Sequence, residues 1–194
     1  MRNMDERVYG AEPEALVAEI MRLRDEVRRL ETRVEELDRL AHMDTLVPLA
    51  NRRGLVRQLD LMIARHERHG TPAALLFVDL DGLKALNDAF GHAVGDAALC
   101  HLAELMVQSV RQTDMVARIG GDEFAILLEH ADENSAYETA ARLADSVAGC
   151  EFCHDGKCLP LSVAIGLTPI QTGDSPEAVL ARADQAMYLV KDAA

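Results

Sequence analysis

The sequence predicts an α+β fold: a sheet of short strands, helices packed on it, and one long helix leading in. Three observations predict it. First, apolar residues from Leu16 to Ala41 recur at alternating steps of four and three, the period of a helix seam. Second, two apolar runs carry acids and glycine at their ends. Leu75-Leu76-Phe77-Val78 runs into Asp79-Leu80-Asp81-Gly82, and Gly120-Gly121-Asp122-Glu123 lies between Met115–Ile119 and Phe124–Leu128. These read as buried strands with polar tips. Third, strand and helix periods alternate beyond residue 73 as β-α-β-β-α-β. That is the ferredoxin-like order, an antiparallel sheet with helices on one face.

Residues 1–13 are polar and read as a disordered N-terminus. Residues 14–43 read as a coiled-coil dimerisation helix, with Ile20, Val27 and Val34 at a and Leu23, Leu30 and Leu37 at d. β-Branched residues at a with leucine at d favour a parallel two-stranded coiled coil. A helix packed on its own domain usually carries a broader apolar stripe. Residues 44–194 form the second domain. In it Asn51 can cap a helix that runs to His69 and stops at Gly70. Strands are expected at about 73–79, 115–119 and 124–129, and helices at about 83–90, 95–110 and 133–148. A hairpin is expected over 150–166. The last helix runs from Pro176 to Lys191, with Ser175 as its N-cap.

The net charge of -13 argues against nucleic acid or an anionic membrane as partner through a basic surface. No apolar run approaches the ~20 residues of a membrane span, and no signal-peptide pattern opens the chain. The expectation is a cytoplasmic protein whose four cysteines are reduced.

The polar tips carry the chemistry. Asp79 and Asp81 share a strand face. The glycine pair reads as a tight hairpin that holds Asp122 and Glu123 at a strand tip. If the tips are neighbours, four carboxylates converge, and such a cluster suits Mg²⁺ or Mn²⁺ together with substrate phosphates. One acidic turn alone would read as structural. Two on successive strands favour a site, with Asp81 the member best explained as merely shaping its turn.

Gly120-Gly121-Asp122-Glu123-Phe124 resembles the signature of the GGDEF family, the diguanylate cyclases, whose fold is similar to nucleotide cyclase and polymerase palm domains. The flanks share the resemblance from about Asp44 to Lys191: Asp79-Leu80-Asp81, Lys84, Asn87-Asp88, Gly91-His92 and Gly95-Asp96 are similar in type and spacing. The resemblance implies condensation of two GTP into cyclic di-GMP and two pyrophosphates across a homodimer, with Mg²⁺ or Mn²⁺, two per pair of active sites. It implies Asp79, Asp122, Glu123 and the Leu80 carbonyl as metal ligands, and Asp122, Glu123 and Lys84 as catalytic. It gives Asn87 and Asp96 to guanine, Leu83 and His92 to the same pocket, and Lys84 and Lys191 to phosphates. Read alone, Asn87 is a helix-surface residue, Asp96 a helix N-cap, His92 a solvated loop histidine, and the lysines exposed helical charges.

Arg111-Gln112-Thr113-Asp114 lies nine residues before the signature and resembles the family's inhibitory Arg-x-x-Asp, where cyclic di-GMP binds; Arg142 resembles a second arginine of that site. Arginine pairs bidentately with phosphate or guanine and stacks on purines. The alternative to an enzyme is a catalytically silent receptor that binds cyclic di-GMP there. The chain departs from the family pattern at Val47-Pro48, where threonine and glycine are usual, at Leu83, where phenylalanine is common, and at Asp192-Ala193-Ala194 in place of Gly-Arg-Asn. The missing tail is expected to weaken substrate affinity. In Cys150-Glu151-Phe152-Cys153-His154-Asp155-Gly156-Lys157-Cys158, the Asp155-Gly156 turn sets Cys153 opposite Cys158. Zinc binding by Cys150, Cys153, His154 and Cys158, a reversible Cys153–Cys158 disulfide and covalent haem attachment are three readings. Small apolar residues on a hairpin are the default.

Overall fold

The computed structural model describes residues 13–154 and 156–192, with backbone alone at Pro13, Glu14 and Lys157. Residues 1–12 of the expected disordered start, Asp155 and the last two alanines lie outside the described residues; Pro13, counted in that start, opens a helix. The chain divides into two compact units, one ending at Ala41 and the other beginning at His42.

The described residues of the first unit form one helix, α1 (Pro13–His42), whose last residue belongs to the second unit. Its seam is open to solvent: Leu16, Ile20, Leu23, Val27, Leu30, Val34 and Leu37 are all exposed, Val34 by 65%. On its other faces Arg22 pairs with Glu19, Arg29 with Glu26 and Arg33 with Glu36. Exposed pairs of this kind contribute little.

The second unit runs α2 (Arg52–His69), β1 (Ala73–Leu80), α3 (Leu83–Phe90), α4 (His92–Ser109), β2 (Met115–Gly120), β3 (Glu123–Glu129), α5 (Glu133–Gly149), β4 (Phe152–His154), β5 (Lys157–Leu159), β6 (Val163–Pro169) and α6 (Pro176–Asp192). The main sheet has the order β2-β3-β1-β6, antiparallel throughout. This is the ferredoxin-like order the alternation predicts. Asn51 caps α2, its side chain accepting from the Arg53 and Gly54 amides.

Helices cover both faces of the sheet, not one as expected. The reason is β1, all eight of whose residues are buried. Ala74, Leu76, Val78 and Leu80 enter a core shared with α4 and α5; Ala73, Leu75 and Phe77 enter a second core shared with α2 and α6. A strand with apolar residues on both of its faces, as β1 has from Ala73 to Val78, needs both faces covered. Gly166 in β6 lets α6 lie against the sheet, since an added Cβ would overlap the Ala183 carbonyl and the Met187 amide.

Three local expectations change. Helix α4 begins at His92, so Gly95 and Asp96 lie within its first turns and Gly91 occupies the N-cap. The stretch 150–166 splits into the β4–β5 hairpin, a sheet of its own, and β6 at the edge of the main sheet. Cys153 and Cys158 are register partners joined by a disulfide, where small apolar residues and reduced thiols were expected. Directly opposed positions of a short hairpin bring the two Cβ atoms within bonding reach. In this state neither sulfur is available for zinc or haem, and His154 stacks on Phe152 instead. Cys100 and Cys150 are free thiols. Among the described residues no helix is long and apolar enough to cross a membrane.

Candidate active site

The two acidic tips are neighbours. Asp79 stands opposite Glu123 in the β1–β3 register, and the Leu80 amide donates to the Asp122 carbonyl at 3.1 Å. The turn between β2 and β3 is Gly121-Asp122, because Gly120 still pairs with Glu123. Asp79 is only 6% exposed. Lys191, at the end of α6, donates to Asp79 Oδ1 at 2.6 Å. Burial pushes the Asp79 carboxyl above its ordinary range; Lys191 opposes the shift, while the Asp122 and Asp81 charges add to it. Glu123 is pushed up in the same way, by burial first and then by Asp122, Asp184 and Asp79. The negative charge of this tip is thus only partly compensated, and its donors are all hard oxygens, which fits Mg²⁺ or Mn²⁺. Asp81 has a structural partner: its Oδ2 accepts from Ser162 Oγ at 2.8 Å, and its amide donates to the Ser162 carbonyl.

Two members of this site escape sequence reasoning. Asp184 of α6 adds its charge at Glu123, and Arg52 at the start of α2 offsets it. Both line a cavity of about 370 Å³ with Phe77, Ile119, Glu123 and Leu180. One signal was available for Asp184: it precedes Lys191 by seven residues, two helical turns on the same face. Arg52 had none, since α2 lies far from both tips in sequence.

The proposed guanine residues gather where α3 meets α4. An added Cβ on Gly95 would overlap Asn87 Oδ1 and come within 3.2 Å of Leu83 Cδ1, so Leu83 and Asn87 of α3 rest on the α4 backbone beside Asp96. Asn87 Oδ1 is buried and has no hydrogen-bond partner among the described residues. Lys84 and His92 are exposed in the first turns of α3 and α4, and among the described residues no hydrogen bond or ion pair ties them to the acids.

A polar brace supports the signature turn. Arg118 of β2 donates from Nε and Nη2 to the Gly121 carbonyl at 3.1 and 2.8 Å, and from Nη1 to Asp44 Oδ1 at 3.1 Å. Asp44 also accepts from the Leu46 and Val47 amides. The loop closes with the Leu49 amide donating to the Val47 carbonyl, so Val47-Pro48 is accommodated with Val47 buried and no N–H required at Pro48. Burial works against ionisation of Asp44, but those amides and Arg118 outweigh it and hold the carboxyl below its usual range. Side-chain exposure at Arg118 and Asp44 is 13% and 17%, so solvent screens the pair weakly. Arg118→Ala is expected to cost about 1–3 kcal/mol of stability, measured by urea unfolding. Because the folded pKa of Asp44 lies below its unfolded value, its contribution is complete above about pH 4 and lost as pH falls through the folded value. The gap between wild type and variant should therefore narrow in acid.

Arg111, Asp114 and Arg142 line one small cavity of about 60 Å³. Asp114 holds the turn, its two oxygens accepting from the Arg111 and Glu129 amides at 2.9 and 3.1 Å. Arg142 reaches the Ser109 carbonyl at 3.0 Å. Both arginines are exposed.

A family model described as "Diguanylate cyclase, GGDEF domain" matches residues 41–194. Diguanylate cyclase DgcP of Pseudomonas aeruginosa is 33% identical over 180 residues, 93% of this chain and 27% of that protein. Response regulator PleD of Caulobacter vibrioides is 36% identical over 155 residues, 78% of this chain and 34% of that protein. The chain thus spans about a third or less of the length of these curated relatives. Among solved structures, the coiled coil and GGDEF domain of DgcB from Caulobacter crescentus, in complex with c-di-GMP, superposes with a TM-score of 0.85 at 28% identity, covering 92% of this chain and 95% of that one.

Proposed function

The chain belongs to the GGDEF family of diguanylate cyclases, and from that premise we propose that it condenses two GTP molecules into cyclic di-GMP with release of two pyrophosphates. The observation that carries this reading is the convergence of Asp79, Asp122 and Glu123 at one end of the sheet, with two of the three held above their ordinary pKa by burial and mutual charge. Asp79, Asp122, Glu123 and the Leu80 carbonyl would hold Mg²⁺ or Mn²⁺, two per pair of sites. When bound, these cations neutralise phosphate charge and lower the pKa of the attacking hydroxyl.

The remaining roles belong to the side chains. Asn87 Oδ1 is buried and without a hydrogen-bond partner among the described residues, ready to accept from a guanine edge, and the Asp96 carboxylate can accept the second donor of that edge. Leu83 packs the base and His92 borders it. Helix α3 starts at Gly82 with no side-chain cap, which leaves its first amides to a phosphate, beside Lys84. Lys191 lies against Asp79 and can move to substrate phosphate. In each half-reaction a 3′-oxygen bonds to the α-phosphorus of the other GTP, and the α–β bridging bond breaks with pyrophosphate leaving. The hydroxyl proton passes to Asp122 or to solvent.

Each domain offers one GTP site, so two must face each other, and the seam of α1 supplies a homodimer through a coiled coil. The test is direct: the chain with GTP and Mg²⁺ should form cyclic di-GMP with two pyrophosphates per product, read by mass spectrometry. Absence of product with either Mg²⁺ or Mn²⁺ would count against catalysis, and cyclic di-GMP binding without turnover would favour the receptor reading. Product inhibition is assigned to Arg111, Asp114 and Arg142. Arg111→Ala should raise the inhibition constant about tenfold or more, since a bidentate arginine contact is worth about 1–3 kcal/mol; an unchanged constant would remove Arg111 from that site.

A further inference from the structure

We propose that the outer face of the β4–β5 hairpin is a site for a thiophilic divalent cation such as Zn²⁺, held by Cys153, Cys158 and Glu151 when the cysteines are reduced. One ligand atom from each of the three residues lies within 4.8 Å of the other two, and all three residues are exposed. Among the described residues no other group of His, Cys, Asp and Glu side chains meets that condition.

The placement follows from the strand period. Cys153 and Cys158 are register partners, so their sulfurs project from one face. Glu151 directly precedes β4, and its carboxylate lies within 4.8 Å of both sulfurs. Phe152 takes the opposite face and is buried, its ring centroid 5.6 Å from that of His101 in α4. The inner face thus anchors the hairpin while the outer face presents the donors. Two sulfurs and a carboxylate leave a fourth tetrahedral position to water, the pattern of an open zinc site. The donors also separate this site from the acidic tips: thiolates select zinc, whereas the oxygens of Asp79, Asp122 and Glu123 suit Mg²⁺.

The site belongs to the reduced state. A dithiol reductant gives two electrons and two protons to the Cys153–Cys158 bond, yielding two thiols while it becomes a disulfide itself. Metal binding then displaces both thiol protons to solvent. Disulfide and metal are therefore exclusive occupants of the same two sulfurs.

The full chain, reduced with a dithiol and freed of it without oxygen, is titrated with Zn²⁺ against a coloured chelator, with excess Mg²⁺ on the carboxylates. Co²⁺ in place of Zn²⁺ adds a thiolate charge-transfer band as a second readout. One equivalent should bind to the reduced chain and none to the disulfide form. Cys153→Ser and Cys158→Ser should each lose it, and Glu151→Gln should weaken it about tenfold or more. No bound equivalent in the reduced chain, or undiminished uptake by Cys153→Ser, overturns the site; unchanged affinity in Glu151→Gln overturns the place of the carboxylate.

Discussion

Replacing Asp79 or Asp122 by asparagine should lower cyclic di-GMP formation by roughly 10³-fold, the scale expected when preorganised charge is removed from a reacting centre. The same change at Asp79 should leave the chain without added metal no less stable. Burial first, and then the Asp122 and Asp81 charges, raise the folded pKa of the Asp79 carboxyl against the opposing pull of Lys191. A raised folded pKa contributes stability below the unfolded value, near pH 4, and that contribution is lost as pH rises through the folded pKa. Above the folded pKa the ionised carboxylate is therefore a burden on the empty fold, and asparagine relieves it. Lys191, which loses its partner, has a side chain 40% exposed and can turn to water. Activity and stability then move apart, as they do where a strained site is kept for function. A thermal shift with Mg²⁺ completes the test, since a ligand stabilises only the form that binds it. Mg²⁺ should raise the melting temperature of wild type and much less that of either variant. Full turnover in Asp122→Asn would remove that residue from the metal set.

Local signals carry well from the sequence and long-range ones do not. The strand tips at Asp79 and Asp122 are legible because an apolar run that ends in acids and glycine fixes both its period and its end. Their meeting is legible only through the ferredoxin-like strand order, which sets β1 beside β3. The two-sided core is also written in the sequence, in the apolar run from Ala73 to Val78, yet the topology alone points to helices on one face. Asp184 and Arg52 enter the site from helices distant in sequence, so nothing near the tips announces them. Arg118 carries a weak mark, a charge in a strand that is otherwise apolar or small, but its partners Asp44 and Gly121 depend on how the segment before α2 docks on β2. The Asp155-Gly156 turn makes the Cys153–Cys158 register legible in the sequence, and the structure keeps it; that the two sulfurs are bonded is the part the default reading did not give.

Deleting residues 1–41 should leave a folded domain whose specific activity at nanomolar protein falls about 10²-fold or more, and recovers as concentration rises. The cut is set by the structure: the compact unit begins at His42, whose carbonyl accepts the Asn51 amide at the start of α2, so both stay. Both apolar cores lie wholly within that unit. The seam from Leu16 to Leu37 finds no cover within its own helix. In the proposed homodimer a second copy of the helix covers it, and two tethered catalytic domains would then meet at an effective concentration that dilution does not lower, which is worth 10²–10⁴ in apparent affinity by order of magnitude. Leu30→Glu in the intact chain separates tethering from mere removal of sequence. It places a charge at a d position and should reproduce the dilution effect without shortening the helix. Fusing an unrelated parallel coiled coil to residue 42 should restore activity at low concentration. Equal specific activity at every concentration, in both the truncated chain and Leu30→Glu, would mean that the domains find each other through their own surfaces, and α1 would then need another role.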